Sequence, residues 1–370
     1  MRKLALLVNP IAGMGGRVGL KGTDGPEALE KARELGAKPI APDRAVEALK
    51  ILKEEARDLE VITYPSEMGE EETQEAGFNP QILGEIKPGE TTAEDTKSAA
   101  RDFLDQNIDL FLFAGGDGTA RDIVSVINTE IPILGVPTGV KMHSAVFANT
   151  PEDAGKLAAR FLSEGLPLRE AEVMDVNEEA FRQDELDTEL MGFAQTPYES
   201  KLIQAGKLPT APTGYEKADQ ESIAQFIVGS MEDNRLYIIG PGTTTRAIKE
   251  ELGIEDPTLL GVDLIKDRGL LVKDAREEQI LQEAEDTPAT IIVSPIGKQG
   301  FILGRGNQQI SPKVIRKIGK DNIIIIATPT KLESTPKLKV DTGDPELDEE
   351  FQGHIPVIVG FGLRRTLPVT

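Results

Sequence analysis

The segment Leu110–Ile123 reads Leu-Phe-Leu-Phe-Ala-Gly-Gly-Asp-Gly-Thr-Ala-Arg-Asp-Ile and passes from an apolar strand through a turn into a helix. Gly115, Gly116 and Gly118 let the backbone lie against a ligand without Cβ clashes. The helix start directs unpaired N–H groups and the positive end of its dipole at the same place. This pattern suits a di- or triphosphate, with Thr119 adding a hydroxyl. Asp117 sets one carboxylate beside the phosphates, where it could take the proton of an attacking hydroxyl, hold Mg²⁺ through water, or do both. A tight turn capped by an aspartate is the plainer alternative, but it needs fewer specified residues. A second glycine-dense loop, residues 9–25, follows the first strand and begins with Asn9; its Arg17 and Lys21 could neutralise phosphate charge. It is not a Walker A loop, because Gly-x4-Gly-Lys-[Ser/Thr] is absent, and the ordinary Gly-x-Gly-x-x-Gly dinucleotide fingerprint is absent as well.

Gly115–Thr119 after a buried strand, taken with Asn9-Pro10-Ile11-Ala12-Gly13 on the first, resembles the superfamily of NAD kinases and diacylglycerol-type lipid kinases. Lipid kinases usually continue into Pro-x-Gly-Thr-x-Asn-Asp; the corresponding stretch here, Val136–Ala145, lacks the Asn-Asp. Ile239-Gly-Pro-Gly-Thr-Thr-Thr-Arg246 is similar to the Thr-Pro-Thr-Gly-Ser-Thr-Ala-Tyr segment of NAD kinases. Together with Gly139–Ser144, Leu260–Asp263 and Gly304–Gln308, these segments make the whole chain resemble the AcoX-like branch of the ATP-NAD kinase family.

The resemblance implies an α/β N-terminal domain and a β-rich C-terminal domain with NAD between them. It implies transfer of the γ-phosphoryl group of ATP, or of polyphosphate as in some relatives, to a ribose hydroxyl of NAD. Mg²⁺ would arrive on the nucleotide phosphates, with no dedicated protein metal site. Asp117 matches the family's acid, taken as the base. Asn9, Gly115, Gly116, Gly118 and Thr119 would line the phosphates, and Gly242, Thr243, Thr244 and Thr245 would touch dinucleotide from the second domain. A homo-oligomer, dimer or tetramer, is also implied. Ala247 or Ile248 stands where the family has Tyr, and Asn177-Glu178 is the only Asn-Glu pair. These departures leave open whether the 2′- or the 3′-hydroxyl is presented. The rival readings are a lipid or other small-alcohol kinase with the same phosphate loop, and a non-catalytic nucleotide sensor.

Five weaker candidates stand beside these. Lys141 and His143 follow a strand and could reach phosphate or nicotinamide, or form a polar rim. Asp263 could line the second-domain site or a turn. Arg305 and Asn307, within Gly304-Arg-Gly-Asn-Gln308, suit a phosphate or a plain hairpin turn. Thr92 and Asp95 read as a helix cap, His354 has no catalytic task, and the acidic runs Glu67–Glu75 and Asp341–Glu350 read as solvated surface.

Strands that deliver these residues are visible as short apolar runs at Leu4–Val8, Leu59–Tyr64, Gln81–Ile86, Asp109–Ala114 and Ile131–Val136. Helical stripes alternate with them, including 43–57 with Asp43 as its cap, 91–107, and the stretch after Thr119. Such alternation predicts a parallel sheet with crossover helices over residues 1–165. Residues 166–370 are expected to form a β-rich domain, its C-terminal segment packing back on the first. Strands are expected at 221–228, 236–239, 290–293, 300–303, 322–328 and 355–359, with helices at 245–252, 275–285 and 311–317. The interval Asn177–Pro209 is polar and poorly patterned and reads as a loop.

The composition sets outer limits. With 41 basic against 63 acidic side chains, the net charge of −22 gives no footprint for nucleic acid or an anionic membrane. Phosphates must therefore be held locally, by backbone N–H groups and a few cations. The absence of cysteine rules out disulfides and thiolate chemistry, and two histidines make a zinc site a poor reading. No apolar run is long enough to cross a bilayer. The residues from Met1 read as a strand rather than a targeting segment, so a cytoplasmic location is expected.

Overall fold

A computed structural model describes residues 2–16, 18, 26–56, 58–138, 142–176, 188–199, 202–203, 214–296 and 299–370 of the protein. Arg17, Lys21, Lys141 and the Asn177-Glu178 pair lie outside the described residues.

The first lobe is a five-stranded parallel sheet of β1 (Arg2–Val8), β2 (Leu59–Thr63), β3 (Gln81–Ile82), β4 (Leu110–Gly115) and β5 (Ile133–Pro137), ordered β3-β2-β1-β4-β5. Its central strands are apolar on both faces, as a strand covered on both sides must be. Leu4, Leu6, Val8, Leu110, Leu112 and Ala114 face one core, and Ala5, Leu7, Phe111 and Phe113 the other. After α1 (Pro26–Glu34), α2 (Ala41–Glu55) covers the first face, joined by α6 (Pro151–Glu164). Beyond α3 (Glu70–Glu75), α4 (Ala93–Leu104) and α5 (Asp117–Ile127) cover the second. Asp43 is not a cap: α2 starts at Ala41 with Pro42 in its first turn, and Asp43 falls inside that turn. Thr92 does cap α4, its N–H and hydroxyl both donating to Asp95 at 2.8 Å.

The hairpin of β6 (Leu168–Val176) and β7 (Thr188–Pro197) lies beyond residue 165, yet Ala171, Val173 and Ala194 join the core around α4 and α5. Part of the interval read as a loop is therefore strand.

The second lobe begins with α7 (Gly214–Gly229), over residues expected as a strand. Ile223, Ala224 and Ile227 recur at helical spacing and are buried together, so the face they form decides the structure over their β-branched type. A seven-stranded mixed sheet follows: β8 (Leu236–Ile239), β9 (Asp263–Lys266), β10 (Gly269–Val272), β11 (Ala289–Val293), β13 (Ile323–Ile326), β15 (Gly353–Ile358) and β16 (Arg364–Val369). Strands β8, β11, β13 and β15 are parallel, and β9 and β16 pair antiparallel outside them. β12 (Phe301–Leu303) and β14 (Lys339–Val340) form a small separate ladder.

The lobe is strand-rich, but helices cover both faces of its sheet. α7 and α8 (Thr243–Glu251) supply one core; α9 (Glu277–Glu283), α10 (Pro312–Ile318), α11 (Pro329–Ser334) and α12 (Pro345–Glu350) contribute to the other. The C-terminal strand stays in this lobe, at the sheet edge beside β15, and Leu338 donates its N–H to the Pro368 carbonyl at 2.9 Å.

Buried charge joins the lobes. Arg44 of α2 makes a bidentate pair with Asp341 at 2.9 and 3.0 Å, and Arg305 reaches the same carboxylate at 2.9 Å. Arg44 also donates to the Pro137 carbonyl, and Arg305 to that of Asn149. Asp341 is therefore not solvated. Burial alone would raise its carboxyl, but the two guanidiniums hold it down at about 2. Glu72, in the other acidic run, is buried too.

Close packing of α2 on α6 depends on Gly155, where an added Cβ would stand 2.4 Å from the Ala48 carbonyl oxygen. Alanine is favoured over glycine inside a helix by about 1 kcal/mol. Here the obstacle is backbone, which cannot swing aside. Gly155→Ala should therefore destabilise the protein by about 1–3 kcal/mol, measured as a lower urea midpoint; a raised midpoint would contradict this packing.

Candidate functional site

β1 and β4 are adjacent and parallel, with Val8 opposite Ala114, but the chain leaves them toward opposite faces of the sheet. At such a switch point the carboxyl ends of the strands open a crevice that serves as the ligand site of open α/β sheets. Asn9 and Gly115–Thr119 meet there. Asn9 donates its N–H to the Ala114 carbonyl and its Nδ2 to the Thr119 hydroxyl, both at 2.9 Å, and its Oδ1 accepts from the Ile11 N–H at 3.2 Å. Thr119 lies on Gly115, where a Cβ would come within 2.5 Å of its hydroxyl oxygen. Gly116 is the opposite case: a Cβ there would meet nothing within 4 Å. The backbone preceding α5 thus faces open space, which leaves room for a phosphate beside the helix start. Gly118 lies in the first turn of α5.

Asp117 is the first residue of α5 and is 7% exposed. Its Oδ2 accepts the His143 N–H at 2.7 Å and its Oδ1 the Ser144 N–H at 3.0 Å. Burial pushes the carboxyl up to about 6, against the opposing pull of the hydrogen bonds from Ser144 and His143; Asp175 adds to the rise. Two accepted N–H groups leave further lone pairs on the carboxylate, so it can still take a proton. Ser144 is fixed in turn by β6: its hydroxyl donates to the Met174 carbonyl at 3.1 Å and accepts the Met174 N–H at 3.0 Å. Arg121 bridges Asp122 and Asp175 beside it. His143 is buried, and what it gives Asp117 is its backbone N–H rather than its ring. Among the described residues, no three His, Cys, Asp or Glu side chains are grouped to hold a metal ion. No described helix is long and apolar enough to cross a membrane.

A second strand–glycine–helix turn lies in the other lobe. Gly242 precedes α8 with a φ of +124°, which glycine adopts freely, and Thr243, Thr244 and Thr245 make the first turn. Thr245 donates to the Gly242 carbonyl at 2.9 Å, and the Thr243 hydroxyl accepts from Gln220 at 3.4 Å. Lys331 of α11 reaches Thr244 at 3.4 Å and Ser294 at 3.0 Å. Gln220, Ser294 and Lys331 carry no motif. Only the position of Ser294 just after β11, and of Lys331 in the helix after β13, could have marked this pair, of which Lys331 is the one that reaches Thr244.

Three weaker candidates are engaged within the protein. Asp263 is fully buried against Lys249 at 2.7 Å and also accepts from the Thr258 N–H, the Thr258 hydroxyl and the Asp274 N–H. Arg305 is buried over the Phe301 ring and bound to Asp341. Asn307 is buried and donates to the Ile302 carbonyl at 2.9 Å. Asp263 and Asn307 are bonded within the second lobe, and Arg305 at the junction between lobes. His354 is exposed on β15.

Residues 4–166 match the family model for the ATP-NAD kinase N-terminal domain, and residues 232–368 that for the ATP-NAD kinase C-terminal domain. No curated protein matches the chain. Among solved structures, a match is "A putative diacylglycerol kinase from Bacillus anthracis str. Sterne", at 17% identity and a TM-score of 0.25. That match covers 48% of this chain and spans 46%, about half, of that one.

If Asp263 is structural, Lys249→Met should lower stability by about 3–5 kcal/mol by leaving a buried carboxylate without its cation. The folded fraction should keep its KM for nucleotide within about twofold. A large rise in KM with unchanged stability would instead put the pair in the binding site.

Proposed function

The chain belongs to the ATP-NAD kinase family and is a phosphotransferase acting on an alcohol group; on that premise we propose that it phosphorylates a ribose hydroxyl of NAD with ATP, or with polyphosphate, as donor. The 2′-hydroxyl, giving NADP, is the leading acceptor position, and the 3′-hydroxyl its rival. The observation that carries this reading is Asp117, a buried carboxylate at the start of α5, at the switch point and beside the open space at Gly116.

In the proposed reaction Asp117 accepts the proton of the ribose hydroxyl as its oxygen attacks the γ-phosphorus. The bond from that phosphorus to the bridging oxygen breaks, and ADP leaves. N–H groups at Gly116 and the helix start hold the phosphates in line, and positioning of this kind supplies most of the rate in phosphoryl transfer. Mg²⁺ carried on the phosphates would offset their charge, which suits a crevice whose own donors are mainly neutral. Gly242–Thr245 are assigned to the dinucleotide from the second lobe. The reading includes a cytoplasmic location, small-molecule nucleotides as partners and a homo-oligomer.

The first test incubates the protein with Mg²⁺-ATP and NAD and identifies products by chromatography and mass. A dehydrogenase specific for the 2′-phosphorylated cofactor then separates the two positions. Failure to phosphorylate the dinucleotide with either donor would overturn NAD as the acceptor. Asp117→Asn should lower kcat by about 10²–10⁴-fold, the usual contribution of a general base, with the calorimetric Kd for NAD little changed. Near-normal turnover would remove Asp117 from the chemistry. Because the base works ionised and its carboxyl is raised to about 6, kcat/KM should fall as pH drops through that value. A flat profile from pH 7 down to pH 4.5 would contradict the assignment.

A further inference from the structure

We propose that Gln299, from the second lobe, is a positioning residue that sets the Asp117 carboxylate through a single peptide group; this rests on Asp117 being the base. Gln299 donates from Nε2 to the Met142 carbonyl at 2.9 Å. That carbonyl belongs to the same peptide unit as the His143 N–H, which donates to Asp117 Oδ2 at 2.7 Å. The order is therefore amide of Gln299, peptide 142–143, carboxylate of Asp117. A donor on the oxygen of a peptide polarises it and strengthens the bond from its N–H, and this cooperation counts most where water is excluded. Gln299, Met142 and His143 are all buried.

The position of Gln299 is built by the backbone around it. Its N–H and that of Gly300 both donate to the Ile296 carbonyl, at 3.0 and 3.3 Å. The Gly300 carbonyl accepts the Lys339 N–H at 2.9 Å, joining the loop to β14. Gly300 has φ +80°, and a Cβ on it would lie 2.6 Å from the Lys337 carbonyl oxygen, so the turn admits only glycine without rearrangement. The loop is thus held on two sides, and its side chain crosses 157 residues of sequence to the first lobe. The peptide it touches is the one that orders the carboxylate. Separation of the lobes would break this contact.

Among the described residues, the charged and titratable groups around Asp117 are Asp175 of β6, Arg121 and Asp122 of α5, and His143 itself. Gln299 adds no charge to this set, so Gln299→Met removes a donor at nearly constant shape. With the full-length variant, kcat should fall by about tenfold, the effect of one neutral hydrogen bond felt in the transition state. KM for ATP and NAD should remain within about twofold. The acid limb of kcat/KM should move upward by about half a pH unit to one unit, because the carboxylate loses support. Independently of turnover, the His143 amide proton in a TROSY spectrum should move upfield as its bond to Asp117 weakens. A variant that melts earlier but keeps both the acid limb and the amide shift would show that Gln299 only packs, overturning the proposal. If Asp117→Asn retained turnover, the base assignment would fail, while the amide shift would still report whether Gln299 orders the carboxylate.

Discussion

Parallel pairing of β1 with β4 brings Val8 level with Ala114, so both strands end at the same height and their next residues must share one space. The Asn9 side chain spans that space to Thr119, and Thr119 lies where only a glycine at 115 admits it. The turn is thereby fixed before any ligand enters. What stays open is the side of Gly116. The same pairing sends one connection to each face of the sheet, so no described helix closes the crevice between the two strand ends. The chemistry assigned to Asp117 depends on this geometry, since the carboxylate follows Gly116 by a single residue.

The second constraint is how charge is buried between the lobes. Asp341 receives two guanidiniums, and each of them also donates to a carbonyl of the first lobe. A buried cluster of this kind is not a strong source of net stability, since desolvation consumes most of the Coulombic gain. Its effect lies in direction. A carboxylate with two forked donors accepts few orientations, whereas an apolar contact would let the lobes slide. Gln299 makes its contact with the Met142 carbonyl across the same junction, so the orientation fixed by the ion cluster is the one in which that hydrogen bond forms.

What the sequence made legible follows from the range of each signal. The strands of the first lobe stand out because both faces are apolar, and the phosphate turn because glycine, acid and hydroxyl are consecutive. The helix at 214–229 is hidden by Ile223, Ile227 and Val228, whose branched side chains suggest a strand until their spacing is set against burial. Asp341 looks like surface because it begins an acidic run, while its partner Arg44 lies 297 residues away. Asp263 and Arg305 were visible as unusual polar residues, but not as ion-paired ones, because Lys249 and Asp341 meet them only through the fold of the second lobe. Lys331 and Ser294 have no motif and become neighbours only when β11 and β13 are paired.

The chain carries a net charge of −22 and is proposed to bind a polyphosphate, so the local field must be arranged against the global one. Several buried or half-buried cations are already committed: Arg44 and Arg305 to Asp341, Lys249 to Asp263, and Arg121 to Asp122 and Asp175. Among the described residues, the donors left at the switch point are backbone N–H groups and hydroxyls, which attract phosphate oxygens without a solvated countercharge to displace. The same neutrality bears on Asp117. A lysine pressed against it would keep it ionised but would weaken it as a base; two peptide N–H groups keep it ionised against burial while its proton affinity stays near neutral pH. A base of that strength is both available at neutral pH and able to take a hydroxyl proton as the phosphorus is attacked. Neutral donors and a carboxylate of raised proton affinity thus answer the same requirement of the proposed reaction, to hold phosphate by shape and leave Asp117 basic.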